Sequence, residues 1–83
     1  MTEKIGWHAS KASQKIRRFE SFDIGWNFGR GVKFSPLILD TALNIIAVAW
    51  DFGLQKNSAF PGDNGEVQLC FYIGGDYLLQ HLK

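Results

Sequence analysis

Two histidines, one cysteine and eight carboxylates are the side chains of this 83-residue sequence best suited to chemistry, and their spacing keeps them apart. His8 and His81 stand at opposite ends of the chain, with no Asp, Glu or Cys cluster at ligand spacing around either. Cys70 falls inside a strand-like run with no base beside it, so it reads as a half-buried, unreactive thiol. Asp40 and Asp51 share a predicted helix but sit about 16 Å apart by helical rise. That is too far for two carboxylates acting on one bond. Catalysis needs an acid, a base and a group that steadies developing charge, all within reach of one atom. No such set is visible, and the sequence reads as non-catalytic, without metal or cofactor.

Two segments carry a binding signal. The first is the loop Gly25-Trp26-Asn27-Phe28-Gly29-Arg30-Gly31, with Lys33 just beyond. Backbone N–H groups of a glycine-rich loop ahead of a helix can cradle an anion. No strand is predicted before it, however, and neither common nucleotide-binding glycine pattern is satisfied. A turn held to the core by Trp26 and Phe28 is the preferred reading. The second segment is a short helix expected over Ala9–Glu20, with Ser10 as N-cap. Ala9, Ala12, Ile16 and Phe19 form its apolar stripe. Lys11, Lys15 and Arg18 share another face, with Arg17 beside them. These like charges repel, so the helix depends on packing, and they are candidates for phosphate contact.

The charge balance tempers that last idea. Net charge is only +1, although residues 1–33 carry seven Lys or Arg against three acids and residues 34–83 carry two against five. A chain polarised in this way suits an acidic partner, or a second copy set head to tail. No nucleic-acid motif accompanies the basic helix, and the next helix is too apolar to face a groove.

The positioning elements are legible from their caps and turns. Ser35-Pro36 opens a main helix that runs to about Phe52, with Gly53 as its stop. Beyond the cap its polar side chains are Asp40, Thr41, Asn44 and Asp51. A helix so apolar around its circumference must be covered on more than one side, by the first helix and a sheet or by another chain. The last third reads as a β-meander. Ser58–Pro61 is followed by an Asp63-Asn64-Gly65 turn. Glu66–Ile73 then alternates, with Val67, Leu69, Phe71 and Ile73 on one face. A Gly74-Gly75 turn leads to Asp76–Leu82, whose two faces both carry apolar groups, so that pattern alone fixes its register poorly. As the last strand it presents an open edge.

The expected fold is a single α+β domain over residues 1–83, with two helices packed on a small antiparallel three-stranded β-meander. Residues 1–8 are expected to be flexible, with Ile5 and Trp7 available to dock. A 46% hydrophobic content fits a globular chain rather than a disordered one. One cysteine allows no intrachain disulfide and points to a reducing compartment, the cytoplasm. Met1–Gly6 shows no secretory pattern. The apolar run Leu37–Leu54 is interrupted by Asp40, Asn44 and Asp51, which argues against a membrane span.

The Gly25–Gly31 loop, the Phe34-Ser35-Pro36 helix start and the segment Phe60-Pro61-Gly62-Asp63-Asn64-Gly65-Glu66-Val67-Gln68-Leu69 together resemble a group of small bacterial proteins. That group opens on a Trp-Asp-Gly-Tyr-Gly loop, has a Ser-Pro helix start and closes on a paired strand. The resemblance covers roughly residues 22–83. It departs at Arg30, which interrupts the loop pattern, and at Cys70, where an acid is expected. It implies an accessory or antitoxin-like protein and carries over no catalytic residue. The function expected is therefore a small protein-binding domain, an antitoxin or inhibitor, that uses Lys11, Lys15, Arg18, Trp26, Phe28 and Arg30. The alternatives are a nucleic-acid-binding module built on the basic helix, and a structural homo-oligomer.

Overall fold

The computed structural model describes residues 6–83. A 3₁₀ turn, Trp7–Ala9, leads into α1, Lys11–Phe19, and a long loop then reaches α2, Pro36–Asp51. The strands β1, Asn57–Pro61, β2, Val67–Ile73, and β3, Asp76–Leu82, follow as an antiparallel sheet in the order β1-β2-β3. This is the expected α+β meander.

Both helices begin where their caps dictate. The Ser10 hydroxyl accepts from the Ser13 N–H at 3.2 Å, and Asn57 Oδ1 accepts from the Ala12 N–H at 3.0 Å. Two of the donors that a helix start leaves free are thus satisfied, one of them from the sheet. The role of Asn57 also explains why β1 starts one residue before the expected Ser58. The buried face of α1 is Ala12, Ser13, Ile16 and Phe19. Ala9 is exposed and does not join the stripe, because it closes the preceding 3₁₀ turn. Ser13 takes that place, its hydroxyl bonded to that of Ser10 at 3.0 Å.

In α2, Ser35 Oγ accepts from the Leu37 N–H, and Pro36 occupies the first turn. The far end closes with Gly53 at φ +89°, Gly53 N–H donating to Trp50 O and Leu54 N–H to Ala49 O. This is the paired C-terminal bonding that a left-handed glycine permits. Leu39, Ala42, Ile46 and Ala49 are buried, and α2 packs against α1, β2 and the 3₁₀ turn. The first helix and the sheet thus both cover α2, as expected, but the cover is incomplete: Leu37 is 74% exposed and Val48 56%. The nine-residue α1 and a three-stranded sheet are too small to enclose a sixteen-residue helix.

In the sheet, Val67, Leu69 and Phe71 are buried as the alternation requires, whereas Ile73 is not. The strand outlasts the core beneath it. Helix α1 lies against β1, while β2 is the principal neighbour of β3. Every residue of β3 except Leu82 is exposed.

The loop between the helices folds back through aromatic packing. Phe34 is buried, with ring centroids 5.3 Å from Phe19 and 5.7 Å from Trp26. Trp26 Nε1 donates to Val32 O at 3.0 Å. Phe28 does not pack into the core as expected: it is 100% exposed, at φ 54°. It sits at the tip of a turn closed by Asn27 and Arg30, which turns its ring to solvent. At the N-terminus, Trp7 packs against the core and stacks on His8 with centroids 4.0 Å apart. Of the segment expected to be flexible, Trp7 and His8 are therefore held in the 3₁₀ turn. The expectation for Met1–Ile5, the docking of Ile5 included, lies outside the described residues.

Candidate functional site

The six residues singled out from the sequence stand in different settings. Lys15 Nζ donates to Ser58 Oγ at 3.0 Å and lies 4.8 Å from the centroid of the Phe60 ring. It is bound to β1 rather than held out with its neighbours. Lys11 is exposed and borders a groove with Lys56 and Tyr72. Arg18 is exposed, while Arg17 donates to His8 O. Trp26 belongs to the aromatic cluster under the loop. Phe28 alone of the loop aromatics stands free.

Arg30 has a structural partner. Its Nη2 lies 2.9 Å from Asp63 Oδ2, and Asn27 Nδ2 donates to Asp63 Oδ1 at 2.7 Å. The Asn27 amide, with the Arg30 charge beside it, holds the Asp63 carboxyl below its ordinary pKa against the opposing effect of desolvation. Val32 N–H also donates to Asp63 O at 3.0 Å. Asp63 thus latches the aromatic loop to the β1–β2 turn, and Arg30 serves that latch.

What the fold does expose together is the β2–β3 hairpin. Tyr72 and Ile73 of β2 and Tyr77, Leu78 and Leu79 of β3 are all large, apolar or aromatic, and exposed. The register pairs Ile73 with Asp76 across the two-residue Gly74-Gly75 turn. A turn of that length is flanked by a hydrogen-bonded pair, and such pairs alternate along an antiparallel ladder. Asp76, Leu78, Gln80 and Leu82 therefore direct their backbone groups to β2. The N–H and C=O groups of Tyr77, Leu79 and His81 point outward, along the free edge.

Between Asp76 at its start and Lys83 just past its end, the edge lacks the usual protections. Proline, lysine and bulges are the common means of blunting an edge strand. Here the pairing with β2 is continuous from Asp76 to Leu82, and neither Pro nor Lys lies within it. On the core side, Thr41, Asn44, Ile45 and Val48 of α2 line an open groove of about 420 Å³ with Leu78 and Gln80 of β3. The exposed Val48 of α2 and the β3 edge thus border one groove. The sequence marks this edge by the apolar residues on both faces of Asp76–Leu82. The groove has no local sequence signal, because it forms between α2 and the β2–β3 hairpin, which are not neighbours along the chain.

Among the described residues no group of three or more His, Cys, Asp or Glu is placed to hold a metal ion. Nor is any helix among them long and apolar enough to cross a membrane. Comparison of the chain with protein-family models, curated proteins and solved structures gives no match.

Proposed function

We propose that this chain is a non-catalytic protein-binding domain whose docking element is the free edge of β3, with the adjoining groove under α2. The observation that carries this reading is a seven-residue strand exposed along its whole length but for Leu82, with unblocked outward backbone groups. An extended segment added to such an edge gains main-chain hydrogen bonds, and the neighbouring groove gives side-chain selectivity. The basic helix supports a nucleic-acid role less well, since Lys15 is bound to Ser58 and Arg17 to the His8 carbonyl. Among the residues that carry the resemblance noted above, Trp26, Arg30, Ser35 and Asp63 have contacts within the fold.

A photo-reactive benzophenone amino acid in place of Tyr77 tests the reading in the cells that make the protein. The same probe in place of Arg18 reports on the basic face. The expected result is a defined covalent adduct from position 77 and none from position 18. An adduct from position 18 alone would contradict it.

A further inference from the structure

The groups that β3 leaves open are complementary to themselves. A strand running antiparallel to β3 and matching all seven of its residues places Leu79 opposite Leu79 of a second copy. In that register Tyr77 faces His81 of the other chain, Leu78 faces Gln80, and Asp76 faces Leu82. Like charges directly opposite each other would oppose pairing, and none occur. The outward backbone groups of Tyr77, Leu79 and His81 fall into hydrogen-bonded pairs, giving six new bonds across the junction. The two ends of the strand differ in charge, with Asp76 at one and Lys83 just past the other. Antiparallel pairing brings unlike ends together, whereas parallel pairing would set like ends side by side.

We infer that the partner at this edge is a second copy of the chain, joined β3 to β3 about Leu79 to form one six-stranded antiparallel sheet. The inference rests on the reading of the β3 edge as the docking element. The symmetry it implies is an isologous two-fold. Its axis stands perpendicular to the sheet, because paired residues keep their faces. Both copies of α2 then lie on the same side of the joined sheet, flanking the axis. The groove lined by Ile45, Val48 and Leu78 opens beside β3, where the second copy sets its own Leu78 and Gln80.

Light scattering over a range of concentrations tests this with variants at the centre of symmetry. The wild type is expected to have twice the 9.4 kDa chain mass when concentrated and to dissociate on dilution. Leu79→Lys alone and Leu79→Glu alone each place like charges opposite one another and should remain 9.4 kDa, with association weakened at least tenfold. Mixing the two in equal amounts should restore the doubled mass, because each pair is then opposite in charge. Circular dichroism of each variant confirms that it is folded, and Leu79→Gln serves as a neutral control that keeps partial association. A wild type that stays monomeric at every concentration overturns the inference. So does a dimer that both charged variants retain, since the contact would then lie elsewhere. A monomeric wild type whose position-77 probe captures a different protein overturns only the identity of the partner. Monomeric behaviour with no adduct at position 77 overturns the edge reading as well.

Discussion

Gly31→Ala is expected to cost the domain about 3 kcal/mol, far more than an exposed loop glycine normally would. Two causes add. Gly31 has φ +104°, in the region where a Cβ is strained, and this alone costs about 1–2 kcal/mol. The added Cβ would also lie 2.4 Å from Trp26 Nε1 and 2.6 Å from Cε2. The indole cannot easily retreat: its Nε1 donates to Val32 O, and its ring packs 5.0 Å from Phe22 and 5.7 Å from Phe34. Gly29 provides the control, with φ +92° and nothing within 4 Å of the added carbon. Gly29→Ala should lose only the conformational part, about 1–2 kcal/mol. Thermal unfolding of the two variants separates them, since each kcal/mol moves the Tm of a domain this small by about 4–8 °C. Equal losses would show that the indole does not hold the position assigned to it.

Leu69→Ala should cost about 3 kcal/mol as well, by the removal of methyl groups from a site that cannot collapse around the gap. Leu69 is fully buried, pairs with Ala59 on β1, and belongs to the same core as Ile16, Ile46 and Val67. Leu78 lies one strand away and is 54% exposed in the single chain. In dilute protein Leu78→Ala should cost less than about 1 kcal/mol. Chemical denaturation at low concentration measures both. The contrast divides the sheet into a half that holds the fold together and a half free to bind. If Leu78→Ala proved as costly as Leu69→Ala, β3 would belong to the core, and the account of it as a docking edge would fail.

The parts of this fold that are legible in the sequence are those set by local backbone requirements. Ser10, Ser35-Pro36, Gly53, Asn64-Gly65 and Gly74-Gly75 each answer a need of the few residues around them, and each marks its boundary correctly to within a residue or two. The misreadings concern positions decided by how the chain enters an element or by what distant segments place beside it. Ser13 rather than Ala9 completes the buried face of α1, because the chain arrives through a 3₁₀ turn. Phe28 turns outward because Asn27 and Arg30 close a tight turn beneath it, and the latch holding that turn is Asp63, on the β1–β2 loop. Lys15 leaves the basic face because Ser58 and Phe60, more than forty residues on, offer it partners. Ile73 is exposed because the core ends before the strand does.

The candidate site divides along the same line. The apolar content of α2 and the two-faced apolar pattern of β3 are both visible in the sequence, yet nothing local shows that they border one groove. Three of the six residues first expected to bind a partner, Lys15, Trp26 and Arg30, turn out to have contacts within the chain. These contacts join segments of the chain to one another. The surplus of apolar surface on α2 is real, and a short α1 with a three-stranded sheet leaves it uncovered in the single chain.

Amide hydrogen exchange along β3, measured first in dilute and then in concentrated protein, shows whether the edge pairs. Leu78, Gln80 and Leu82 direct their N–H groups to β2 and should be protected at both concentrations. Tyr77, Leu79 and His81 direct theirs outward. These three are expected to exchange at close to the unprotected rate when dilute and to become protected on concentration, as the edges pair. Outward amides that stay unprotected at both concentrations, while the inward ones remain protected, would show a formed strand whose edge takes no partner, and would contradict the account.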